Sequence, residues 1–89
     1  MIVRILGEGQ YDLEGTALQE LKLADAHLFE AVASNNEVRF AQEFHKVLTL
    51  VRTRGQRLDA SRLTESDLVL PSSDTSLEEA RRLFTSHPA

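Results

Sequence analysis

Apolar positions recur along this chain with two different periods, and the changes of period divide it into elements. Ile2 to Leu6 is a short run rich in β-branched residues. From Gln10 to Glu14 the polar residues Gln10, Asp12 and Glu14 alternate with Tyr11 and Leu13. That two-residue period is the mark of a strand with one wet face. Val3 and Ile5 are placed to share the buried face with Tyr11 and Leu13. The spacing then lengthens. Leu18, Leu21, Leu28 and Val32 lie three or four residues apart or at multiples of that step, with Ala24 and Phe29 widening the stripe. A second stripe follows at Phe40, Ala41, Phe44, Val47, Leu48 and Val51. Each predicts one amphipathic helix. Leu68-Val69-Leu70 predicts a short third strand or an extended segment laid against the first two. Leu77, Ala80 and Phe84 predict a last, modest helix.

Turn and cap residues fall between these runs. Gly7-Glu8-Gly9 predicts a three-residue hairpin turn. Gly15 ends the second strand, and Thr16 with Gln19 fits a capping box that would open the first helix. Ser34-Asn35-Asn36 is a turn, Asn36 is placed as the N-cap of the second helix, and Glu37 stands in its first turn. Gly55 suits the end of that helix, with Arg52 and Arg54 in its last turn, where cations complement the helix dipole. Gln56 to Thr64 reads as irregular. Pro71 to Thr75 is a loop, and Ser76 with Glu79 is a second capping box. The fold class is therefore α+β: an N-terminal antiparallel β-hairpin plus a short third strand, packed against an antiparallel helical hairpin and a short C-terminal helix. Residues 1–86 form one domain, and residues 87–89 read as a frayed tail.

Composition narrows the function classes. Eighty-nine residues make a single core of modest stability. The absence of cysteine removes disulfides, thiolate metal sites and cysteine nucleophiles. No run approaches the roughly 18–20 apolar residues of a spanning helix, so a cytoplasmic location is expected. The net charge of −4 argues against general nucleic-acid binding. Charge is unevenly distributed: two basic and six acidic groups in residues 1–34, six and three in 35–62, two and five in 63–89. Such blocks imply either internal complementarity or one basic surface.

Candidate chemistry is sparse. Gly7-x-Gly9 follows a strand but lacks the third glycine of a dinucleotide loop, and a strand follows instead of a helix. His27, His45 and His87 stand at no metal-ligand spacing from one another and read as boundary residues. No serine has a nucleophile context. Glu78 and Glu79 are adjacent, point in different directions on a helix, and suit its first turn. Asp25 lies between Leu21 and Leu28 and is expected at the edge of the stripe, in water. Arg52, Arg54, Arg57 and Arg62 are the one basic concentration, with a solvated helix end as the plain alternative to a partner-binding patch. No enzyme and no cofactor are expected.

Three blocks carry a family resemblance: Met1-Ile-Val-Arg-Ile-Leu-Gly-Glu-Gly-Gln-Tyr11, the helical hairpin, and Ser66-Asp-Leu-Val-Leu-Pro71 followed by Asp74-Thr-Ser-Leu-Glu-Glu79. Together, in this order, they resemble the PspAA domain, a small PspA-associated protein encoded beside homologues of phage shock protein A. The resemblance implies a non-enzymatic accessory of the envelope-stress system that docks on a PspA-like coiled coil and meets the membrane only through that partner. It supplies no site residues, so Arg52, Arg54, Arg57 and Arg62 stand as the candidate partner-binding set from the charge pattern alone. The alternative is a small ligand-sensing or nucleic-acid-binding regulator. Homodimerisation is left open, by strand addition at a hairpin edge that Arg4, Gln10, Asp12 and Glu14 would otherwise protect.

Overall fold

A computed structural model describes residues 1–61 and 64–86, with the backbone alone over 83–86. Strands β1 (Ile2–Ile5) and β2 (Gly9–Asp12) form the expected hairpin. Val3 pairs with Tyr11 and Ile5 with Gly9, so the turn is Leu6-Gly7-Glu8 and Gly9 belongs to the second strand. The turn bends through Gly7 at φ +84°, a conformation that strains any residue with a Cβ. In this register Val3, Ile5, Tyr11 and Leu13 share one buried face, as their alternation predicts.

Helices α1 (Gly15–Ala33) and α2 (Glu37–Arg54) follow as an antiparallel pair. The Asn36 side chain caps α2 by accepting from the Arg39 N–H at 3.0 Å. The expected capping box on α1 does not form. Glu14 is the N-cap residue and makes no side-chain cap bond, while the Thr16 hydroxyl accepts from Arg54 instead. Gly15, at φ +61°, swings the chain from strand into helix. Phe40, Phe44, Val47, Leu48 and Val51 of α2 are buried, and Ala41 is exposed. On α1, Ala17, Leu21, Leu28, Ala31 and Val32 are buried, while Leu18 and Ala24 pack partly against the core. Phe29, expected to widen this stripe, lies outside it and is 56% exposed. Asp25 is half-buried rather than in water. Desolvation raises its carboxyl above the ordinary value.

Gly55 closes α2 in an ordinary extended conformation, φ −84° and ψ 152°. Beyond it, β3 (Gln56–Arg57) lies in the stretch expected to be irregular and pairs antiparallel with β2. Strand β4 (Leu68–Leu70) pairs parallel with β1, Val3 opposite Leu68 and Ile5 opposite Leu70. The sheet order is β3-β2-β1-β4. Both sides of the N-terminal hairpin are thus occupied by strands, so neither is the open edge the sequence reading considered. Gln10, proposed there as an edge guard, is buried on the outer face of the sheet, and its amide donates to the Thr64 carbonyl and the Ser66 hydroxyl. Pro71 ends β4. Ser76 and Glu79 form the second capping box, with the Glu79 N–H on the Ser76 hydroxyl at 3.2 Å and that hydroxyl donating to Glu79 at 3.1 Å. Helix α3 (Leu77–Ser86) buries Leu77 and Ala80 and contacts both α1 and α2. The side chain of Phe84 lies outside the described residues, as do residues 87–89.

Candidate partner-binding surface

The basic concentration sits where the end of α2 meets the sheet. Arg52 and Arg54 project from the last turn of α2, and Arg57 from β3 just beyond Gly55. Arg62 lies outside the described residues. The Arg52 guanidinium forks onto Glu8 in the β1–β2 turn, with Nε donating to Oε1 at 2.8 Å and Nη2 donating to Oε2. Arg57 donates from Nη2 to the Glu8 carbonyl at 3.1 Å, so two arginines hold one turn. The Arg52 hydrogen bond keeps the Glu8 carboxyl below its usual range, and Glu8 in turn holds the Arg52 guanidinium above its own. Arg54 reaches across to α1, donating to Glu20 at 2.7 Å and to the Thr16 hydroxyl at 3.4 Å.

These pairs explain the charge blocks. Arg39 with Glu30, Arg52 with Glu8 and Arg54 with Glu20 each join a cation of the central block to an acid of the first. Internal complementarity is therefore realised, and the basic set is partly neutralised. A paired guanidinium still carries N–H donors beyond the two in a fork, so the arginines keep capacity for a further acceptor. Sequence reasoning found the cations and missed their partners Glu8 and Glu20, which lie 44 and 34 residues away from Arg52 and Arg54. The charge blocks were the available signal.

Beside the turn is a shallow groove of about 270 Å³ whose lining includes Arg4, Leu6, Gly7, Gly9, Arg57 and Asp59. Asp59 accepts from both the N–H and the hydroxyl of Ser61. His27 and His45 are exposed. Among the described residues no group of three or more His, Asp or Glu side chains is placed to hold a metal ion, and no helix is long and apolar enough to cross a membrane. Glu78 pairs with Arg82 one turn on, while Glu79 serves the cap.

Against the known families, residues 1–88 match the one described as PspA-Associated protein, PspAA. The chain belongs to the PspAA family. No curated protein and no solved structure matches it. The fold joins the PspAA-like blocks at the two ends of the sequence. Residues 2–6 and 67–70 of these blocks meet in the sheet, where the Ile2 N–H donates to the Asp67 carboxylate at 2.8 Å and the Leu6 N–H to the Leu70 carbonyl at 3.0 Å.

Proposed function

We propose that this PspAA chain is a non-enzymatic interaction domain that docks on a PspA-like coiled-coil protein and regulates its assembly in the response to envelope stress. The observation that carries the reading is the family match over residues 1–88, whose description names PspA as the associate. The arginine end of the helical hairpin supports it: Arg52 and Arg57 meet at the Glu8 turn, Arg54 turns to α1, and all three keep donors for acidic positions on a partner helix. Docking of this kind places the protein on the cytoplasmic side, at the inner face of the membrane only through its partner. The test is co-purification with a PspA-type protein at low salt in the tens-of-micromolar range. A stable complex that weakens as salt rises is the expected result. Failure to form a complex under those conditions would sink the reading.

A second reading, a ligand-sensing domain, is favoured by the groove beside the Gly7 turn with Arg4 and Arg57 in its lining. Among the described residues, the Arg4 guanidinium has no hydrogen-bond or ion-pair partner, while its backbone lies in the sheet. A thermal-shift screen with nucleotides and other anionic small molecules separates the two, since a ligand that binds only the native state raises the melting temperature.

A further inference from the structure

Helix α1 carries more apolar surface than the core uses. Leu23 is 62% exposed and Phe29 56% exposed, and Ala26 and Ala33 are exposed beside them. The outer positions Gln19, Leu23, Ala26, Glu30 and Ala33 follow the alternating four–three spacing of a helix-packing seam. At the centre of this seam is Ala26, small enough for another helix to approach closely.

The charges along the seam are self-complementary. Counted from Ala26, Lys22 lies four residues back and Glu30 four residues on; Leu23 lies three back and Phe29 three on. A second α1 laid antiparallel with Ala26 at the two-fold axis therefore brings Lys22 level with Glu30 of the second copy; at about 100° per residue, Leu23 falls on the flank beside that Glu30, and Phe29 beside the second copy's Lys22. The same contacts recur on the other side of the axis, which is the requirement of an isologous interface. The Lys22 ammonium makes no hydrogen bond or ion pair among the described residues, whereas Glu30 already accepts from Arg39 at 3.2 Å and has a second oxygen to offer. Each half of the interface would then hold a Lys–Glu–Arg cluster, with the aliphatic stems of Glu30 and Lys22 covering Leu23 and Phe29 of the other copy.

We infer that the outer face of α1 is a homodimer interface, two copies packing antiparallel about Ala26. The occupant is a second copy of this chain because the charge complement of the stripe is found on the stripe itself. Strand addition at the hairpin has no part in it, since β3 and β4 flank β1 and β2. A single helical stripe is a small interface and belongs with weak associations, Kd on the order of 10 µM to 1 mM. This inference is independent of the PspA-docking proposal, which uses the opposite charge logic at another corner.

Sedimentation velocity across that concentration range tests it, with folding checked by circular dichroism. The wild-type chain should pass from monomer to dimer. Ala26→Asp should remain monomeric and helical. Lys22→Glu and Glu30→Lys should each weaken the dimer at least tenfold, and the double exchange should restore most of the loss. Because the chain has no cysteine, Ala26→Cys offers a second readout: it should form a disulfide-linked dimer under mild oxidation much faster than Gln42→Cys, an exposed position on α2. A chain that stays monomeric at 1 mM overturns the inference. So does a dimer that Ala26→Asp leaves intact, a double exchange without rescue, or equal crosslinking at positions 26 and 42.

Discussion

Gly55 is the joint between the helical hairpin and the sheet, and adding one methyl group there should destabilise the fold by about 1–3 kcal/mol. Its backbone angles suit any residue, so the cost is one of space. A Cβ at this position would stand 2.6 Å from the Val51 carbonyl oxygen, 2.9 Å from a Leu13 methyl and 3.0 Å from the Tyr11 Cβ. The Val51 carbonyl cannot give way freely, because it accepts the Gly55 N–H at 3.0 Å and closes the helix. Leu13 is fully buried and Tyr11 nearly so. Restricting the unfolded chain returns about 0.4–1 kcal/mol, less than overpacking of a tight core removes. For a domain of this size each kcal/mol corresponds to about 4–8 °C in Tm. With a urea m-value of about 1 kcal/mol/M, the midpoint should fall by about 1–3 M at unchanged m. Gly7→Ala is the control: φ is +84° there with nothing within 4 Å of the added carbon, so only backbone strain of about 1–2 kcal/mol is expected. A Gly55→Ala chain with an unshifted or raised midpoint would refute the packing argument.

Three further outcomes follow from the side chains. Asp25→Asn should stabilise the protein at pH 7. The folded carboxyl is raised above the ordinary 3.8, so between those two values the native state binds more protons and stability falls as pH rises; a gain in Tm that persists unchanged below pH 3.8 would contradict this. Arg52→Met should return the Glu8 carboxyl towards its ordinary 4.5, read by NMR titration. Because the folded Glu8 value is lowered, the pair's contribution is complete above the unfolded value, is lost as pH falls through the folded one, and amounts to at most about 1 kcal/mol in this exposed setting. Asn36→Ala removes the α2 cap and should cost about 0.5–2 kcal/mol in urea unfolding, with an unchanged midpoint as the contrary result.

The elements that were legible in the sequence are those with their own periodicity. The hairpin alternation and the α2 stripe each mark a buried face, and the matching of Val3 and Ile5 with Tyr11 and Leu13 follows from the pleat. Strand β3 carries no such mark, because Gln56 and Arg57 are polar and exposed and pair with β2 only where Gly55 lets the chain approach. The parallel pairing of β4 with β1 is invisible for another reason: nothing local in Leu68-Val69-Leu70 states which strand it joins. Phe29 was misplaced because α1 is apolar on more than one side, so a stripe drawn through it has no unique edge. The arginine cluster was legible as charge, but its occupation by Glu8 and Glu20 depends on tertiary contacts between distant segments.

The position of β1 has a consequence for synthesis. It precedes the other strands of this sheet in the chain and is the second from one side, between the neighbour nearest in sequence and the one furthest from it. Until residues 68–70 emerge, the backbone groups of Ile2, Arg4 and Leu6 that face β4 have no strand beside them. A nascent chain therefore carries an open β-edge until those residues are made, and such an edge is a template for pairing with another chain. Closing it brings together segments more than sixty residues apart, which slows folding more than it weakens the fold. A chain truncated before Leu68 would keep that edge permanently and should aggregate, even though both helices and the whole hairpin are present.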